Sequence, residues 1–268
     1  MALKDITLGQ YFPGNTVIHR MDPRTKLIFT LLYIVALFIA KRLPAYLVLI
    51  VVLVVCVAIS KIKPAALFKG MKPILFLLIV TGLLNLFYTS GTILWQWKFL
   101  KITVEGIWAA IYMILRITML ICCTFLLTYT TSPIRLTDGL ENLLGPLKKI
   151  KVPVHELAMM MSIALRFIPT LIEETDKIMS AQRARGADFD TGNLIQKAKA
   201  LIPLLVPLFV SAFRRADELA IAMECRCYHG GEGRTKLMEL HYALRDVIAI
   251  IFGLVLCVGI WFMRHFGL

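Results

Sequence analysis

Charge is scarce in this chain, and most of it has one sign. Of 268 residues 18% are charged, below the roughly one quarter usual in soluble domains, and 30 Lys and Arg face 17 Asp and Glu. Residues 132–240 are nearly balanced, with 15 basic and 13 acidic side chains, while the rest of the chain holds 15 basic and only 4 acidic. That distribution argues against a nucleic-acid partner, because the excess flanks apolar runs, where lipid headgroups and the positive-inside bias put it. Sites for chemistry are missing too. The string G-x-x-x-x-G-K-[ST] occurs nowhere, GGEGRTK falls short of it, and so this chain does not hydrolyse ATP by itself. Cys225, Cys227 and His229 form C-x-C-x-H with no fourth ligand nearby, which argues against structural zinc, so no metal and no cofactor is expected. No nucleophile–base constellation supports an enzyme. The start of the chain has no signal-peptide pattern, since Lys4 and Asp5 lead into a mixed polar stretch, and membrane insertion is expected to use the first transmembrane helix.

What is abundant is apolar surface. The chain is 59% hydrophobic with a mean hydropathy of +0.76, and the expected fold is an all-α integral membrane protein with about five transmembrane helices. Apolar runs occupy Leu27–Ala40, Tyr46–Ser60, Ile74–Tyr88, Ile107–Tyr129 and Leu244–Met263. The first two are shorter than the roughly 20 residues that span a bilayer, and reach the interface through flanking residues or form a membrane-embedded hairpin. GTILWQWKFLKITVEG alternates and reads as a short interfacial hairpin with Trp95 and Trp97 as anchors. Four of the six cysteines lie in apolar runs and read as reduced, small hydrophobes. The loop at 61–72 holds four lysines and the stretch before Leu27 holds Lys4, Arg20, Arg24 and Lys26, against two basic residues in each of 41–44 and 89–105. This bias puts the N-terminus and residues 130–242 in the cytoplasm and the C-terminus outside.

The middle of the chain is different in kind. From Val154 apolar residues recur at helical spacing, interrupted by Glu156, Arg166, Glu173, Glu174, Asp176 and Lys177, and the pattern runs to AQRARG, where Gly186 suits a C′ glycine. A second helix is expected from near Asn193 to CRCYHGGEG. Its run LIPLLVPLFVSAF is only 13 residues long with Pro203 and Pro207 inside, so a helix lying on the membrane surface is favoured over a further span. Pro169, Pro203 and Pro207 are expected to kink these helices. Three regions follow: 1–131 with four spans, 132–242 as a cytoplasmic helical region, and 243–268 with the final span. Glu173 and Glu174 point to different sides of a helix and read as solvated or partner-facing charges. Met159, Met160, Met161 and Met179 suit either packing between the two long helices or an adaptable interface. Arg116 falls near the centre of the fourth span, where a charge must face protein; a tether to a carboxylate or to backbone carbonyls is favoured over an anion path.

Seven stretches in order, DPRTK (22–26), ITVEG (102–106), LTYTTSP (127–133), ALRFIP (164–169), AQRARG (181–186), the PL pairs at 203–208 and AMECRCYHGG (222–231), resemble the transmembrane T component of energy-coupling factor (ECF) transporters over nearly the whole chain. The resemblance implies a non-catalytic scaffold in a bacterial cell membrane, with two long cytoplasmic coupling helices that bind two ABC-type ATPases and a small membrane-embedded substrate-binding S component. Family members carry Ala-Arg-Gly at the end of each coupling helix. The first maps onto Ala184, Arg185 and Gly186, the second onto Cys225, Arg226 and Cys227, where only the arginine is kept. An arginine offers five fixed donors to an acidic groove; the blander reading is a guanidinium that merely caps terminal carbonyls. Motif wording favours vitamin over cobalt or nickel uptake. The rival architecture is a self-sufficient secondary transporter, for which the inverted repeat is not seen.

Overall fold

The computed structural model describes residues 11–97, 100–187, 189, 193–230 and 240–266. Asp188, Asp190, Lys98 and the run from Gly231 to Lys236 lie outside them, as do the side chains of Trp95 and Trp97. The chain divides into two compact units, one formed by Gly9–Gly139 with Leu240–Leu268, the other by Met1–Leu8 with Leu140–Glu239.

In the first unit nearly every helix start is written locally. α1 (Pro23–Ile39) has Pro23 in its first turn and the Asp22 carboxylate accepting the Arg24 N–H, as an N-cap does. α2 (Leu43–Ser60) and α3 (Pro64–Met71) carry Pro44 and Pro64 in their first turns. A 3₁₀ turn at Lys72–Ile74 leads into α4 (Leu75–Tyr88). β1 (Ile93–Trp97) and β2 (Leu100–Thr103) form the two-stranded antiparallel hairpin that the alternation predicts. α5 (Val104–Thr130) is capped by the Thr103 hydroxyl, and α9 (Leu244–His265) closes the unit.

Pairings along the helices fix their directions. Lys26 meets Thr130 while Arg116 meets Ala40, so α1 and α5 are antiparallel. Phe29 stacks on Phe252 and the Cys257 thiol donates to the Leu32 carbonyl, so α9 runs parallel to α1. α4 packs antiparallel on α5: Gly82 sits under Ile114, and a Cβ on Gly106 would stand 2.8 Å from the Leu86 carbonyl, an approach that only glycine allows. The buried core joins α1, α2, α5 and α9 through Tyr33, Leu37, Tyr46, Leu49, Met119 and Ile260. The start of α1, the ends of α2 and α5 and the start of α9 therefore share one face, and the chain leaves and re-enters the unit there.

The second unit contains the 3₁₀ segment Gly145–Ile150, α7 (Val154–Ala184) and α8 (Leu194–Glu224); α6 (Pro133–Leu144) runs across the boundary. Pro169, Pro203 and Pro207 lie inside α7 and α8, whose helical backbone continues on both sides of each. Pro207 has no N–H for the carbonyl of Pro203, and the Gln182 amide of α7 takes that place at 3.5 Å.

Among the described residues five helices are long and apolar enough to cross a membrane: Leu43–Ser60, Pro64–Tyr88, Val104–Thr130, Val154–Ala184 and Leu244–His265. The set differs from the five apolar runs by one exchange. α1 drops out at 17 residues, and α7 enters as the least apolar of the five because its 31 residues outlast its charges.

Candidate functional site

The predicted docking residues stand at the ends of α7 and α8, and their backbones are superimposable in hydrogen bonding. At the end of α7 the N–H of Gly186 donates to the Arg183 carbonyl at 2.9 Å and that of Ala187 to the Gln182 carbonyl at 3.0 Å. At the end of α8 the N–H of Cys227 donates to Glu224 at 2.9 Å and that of Tyr228 to Met223 at 3.1 Å. Both are Schellman closures, with the arginine at the C-cap and the next residue left-handed. Gly186 takes that conformation at φ +88 and Cys227 at φ +54. The departure from Ala-Arg-Gly thus leaves the cap unchanged. Its cost is a side chain in a conformation that is steric work for all but glycine, about 1–2 kcal/mol.

The caps bear on what the arginines are for. The Gln182 and Arg183 carbonyls of α7 and the Met223 and Glu224 carbonyls of α8 already accept backbone N–H groups, so neither guanidinium is needed to satisfy those four. Ala184, Arg185, Gly186, Cys225, Arg226 and Cys227 are all exposed, and among the described residues no hydrogen bond or ion pair involves the Arg185 or Arg226 side chain. Each sits at the negative end of a helix dipole, which favours a cation there. Cys225 and Cys227 are free thiols. The two arginines are not brought together. Gln182 meets Pro203 while Glu174 meets Ser211 and Arg215, so α7 and α8 run antiparallel where they touch, and their tips point to opposite ends of the pair.

Glu174 corrects an expectation. Its side chain, 22% exposed, is engaged within the unit rather than fully solvated: it accepts from the Ser211 hydroxyl and, at 2.9 Å, from Arg215 Nη2. Only Glu173 is exposed. Met160 and Met161 are exposed, so they do not pack inside the described unit, while Met159 and Met179 are half-buried.

Arg116, in the other unit, has its partners within the chain. Its Nε and Nη2 donate to the Tyr46 hydroxyl at 3.1 and 2.8 Å, and Nη2 donates to the Ala40 carbonyl at 3.2 Å. Tyr46 is fully buried, and the bonds fasten the middle of α5 to the turn between α1 and α2. Sequence reasoning missed Tyr46, and it missed the cluster built on DPRTK. There Asp246, 1% exposed, accepts the backbone N–H groups of Asp22 and Ala243 at 2.9 and 2.8 Å. Arg24 pairs with Asp22 at 2.9 Å, donates to the Leu240 carbonyl and stacks over Tyr242. Lys26, also buried, donates to the Thr130 carbonyl, the Thr131 hydroxyl and the His19 carbonyl. The His19 ring holds the Phe12 carbonyl through Nε2 and accepts from Thr16 at Nδ1, 2.7 Å away. Burial, aided by the Lys26 charge, pushes its pKa below the ordinary imidazole value.

A family model described as cobalt transport protein matches residues 14–237. The energy-coupling factor transporter transmembrane protein EcfT of Clostridium kluyveri is 56% identical over 261 residues, covering 96% of this chain and 97% of its own. That of Ruminiclostridium cellulolyticum is 56% identical over 246 residues and 92% of each chain, and that of Bacillus subtilis 49% identical over 263 residues, 98% and 99%. The chain belongs to the EcfT family. It is a multi-pass membrane protein and the transmembrane component of an energy-coupling factor transporter, not a catalytic unit. Within this EcfT chain Asp22, Arg24, Lys26, Arg116 and Asp246 are bonded inside the first unit, while the tip arginines of α7 and α8 stand exposed.

Proposed function

We propose that this EcfT chain couples ATP hydrolysis on two partner ABC-type ATPases to uptake of a vitamin or similar micronutrient through a membrane-embedded S component. α7 and α8 act as the coupling helices, and Arg185 and Arg226 each enter an acidic groove on one ATPase. The observation that carries the reading is the matched pair of caps: two helices end in the same closure, each leaving an exposed arginine with no capping duty. Guanidinium groups in that state are suited to bidentate pairing with carboxylates. α7 lies along the membrane surface rather than across it, since Glu156 and Arg166 interrupt the apolar window that qualifies it as a span. The exposed apolar side chains of α8, among them Val206, Phe209 and Phe213, face lipid or the S component, and Met160 and Met161 add an adaptable surface beside them. The N-terminus and residues 132–242 are cytoplasmic, the side that the basic residues of the 61–72 loop and of the stretch before Leu27 favour.

The test is gentle purification of the tagged chain from its native membranes, with identification of what accompanies it. Two ATPases and one or more small hydrophobic proteins are expected, and those small proteins name the substrates. A chain that arrives alone contradicts the proposal and returns attention to Arg116 as part of an ion-driven path.

A further inference from the structure

The two tips are related by more than their caps. Arg226 follows Arg185 by 41 residues, and Arg215 follows Glu174 by the same 41. α7 and α8 are each 31 residues long. Glu174 and Arg215 are bonded to one another where the helices run antiparallel. Equivalent positions of two antiparallel helices meet only at a local two-fold axis, so the ion pair marks that axis. From it Arg185 lies 11 residues on along α7, and Arg226 lies 11 residues on along α8. At 1.5 Å per residue each tip is about 16 Å from the ion pair along its helix, about 33 Å of helix from one tip to the other.

The axis also accounts for the charge pattern of the two helices. At a two-fold each residue meets its own counterpart, so a faithful repeat would set like charges against each other, which is destabilising. The sequence exchanges the sign there: Glu173 and Glu174 on α7 correspond to Arg214 and Arg215 on α8, while the tip arginines keep theirs. Glu173 and Arg214 are the exposed members, and Glu174 and Arg215 the partly buried ones. Ser211 adds its hydroxyl to the same carboxylate, and Arg215 Nε, buried beside it, has no partner among the described residues.

We propose that Glu174 and Arg215, supported by Ser211, are positioning residues that pin the two helices midway between their tips and so fix the spacing of Arg185 and Arg226. This rests on the reading that each arginine docks an ATPase: two sites on a symmetric ATPase pair have one spacing, and a rigid pair of arms engages both at once. The pin makes no contact with either ATPase. It lets a movement at one tip be delivered at the other rather than absorbed between the helices.

The experiment uses the full chain in lipid nanodiscs, with spin labels on the native Cys225 and on Ala184→Cys after the other five cysteines are replaced. The tip-to-tip distance distribution is then read by electron paramagnetic resonance. Glu174→Arg and Arg215→Glu are each expected to widen the distribution, and the double exchange to restore the width of the parent. In the reconstituted transporter the single reversals are expected to retain both ATPases yet lose about ten-fold in uptake per ATP hydrolysed, as misplacement by ångströms does elsewhere, with recovery in the exchange. Glu174→Gln, which keeps the size and loses the charge, replaces a reversal that fails to fold and gives a smaller widening. Single variants with an unaltered distribution, or an exchange as broad as its parents, overturn the pin. A distribution that responds as expected, while Arg185→Glu with Arg226→Glu still holds both ATPases, keeps the pin and overturns the docking reading instead.

Discussion

Two charged regions of this molecule use the same side chains in opposite ways. At the shared helix ends of the first unit, Asp22, Arg24, Lys26 and Asp246 are largely withdrawn from solvent, and each has its partners within a hydrogen bond. At the ends of α7 and α8 two arginines stand exposed, and backbone amides have taken the two carbonyls that each Schellman closure engages. Burying an ion without its complement costs several kcal/mol, so a charge retained inside apolar surroundings must be paired by the chain itself. A charge held out at a well-capped helix end has no such obligation. The contrast separates groups that hold the scaffold from exposed groups that the proposal assigns to a partner, although both occur in short basic motifs within one apolar chain.

The contrast breaks first if the tips are reversed. Arg185→Glu with Arg226→Glu should lower ATPase affinity by at least roughly 100-fold, the scale of losing a desolvated charge pair at an interface. Substrate uptake into cells then falls to background, while the thermal midpoint of the purified chain stays where it was. Next, Asp246→Ala should lower stability by about 3–5 kcal/mol, because two buried N–H groups lose their acceptor. A shift in the unfolding midpoint in detergent reads this, and ATPase binding by the fraction that remains folded should be unchanged. A smaller effect of opposite sign is expected from Cys227→Gly, which removes a side chain from the left-handed region and should stabilise the α8 tip by about 1 kcal/mol. Slower backbone amide exchange at residues 225–228 would show it, whereas Gly186→Ala should speed exchange at the α7 tip.

The smallest effect concerns pH. The neutral His19 ring donates from Nε2 to the Phe12 carbonyl and accepts from Thr16 at Nδ1; a protonated ring loses the second bond. Its folded pKa lies below 6.5, so the unfolded state binds the proton first on acidification. The contribution of His19 is therefore present above pH 6.5 and lost as pH falls through the folded pKa. Protection of the 12–19 loop should drop over that interval in the parent chain. In His19→Gln the dependence should vanish.

Much of this was legible locally. Asp22 before Pro23, the prolines opening α2 and α3, the alternation across 93–103 and the glycine after Arg185 each act within a few residues of themselves, and each sits in the element it signals. The family words carried the two tip arginines. What stayed hidden is paired across the chain. Tyr46 lies 70 residues from Arg116 and Asp246 lies 224 from Asp22, so nothing in their own neighbourhoods marks them. Glu174 was misread for the same reason: next to Glu173 it looks solvated, and only the 41-residue offset between the two tips sets it opposite Arg215. The exchange of α1 for α7 among the candidate spans has another cause, since length and apolarity count residues and do not weigh where Glu156 and Arg166 fall.

The central claim is that each tip arginine holds one ATPase. Native mass spectrometry of the assembled transporter from membranes expressing the parent chain, Arg185→Glu, Arg226→Glu or both tests it most directly. The account predicts two ATPases on the parent, one on each single variant and none on the double. A double variant that still carries two ATPases would contradict it.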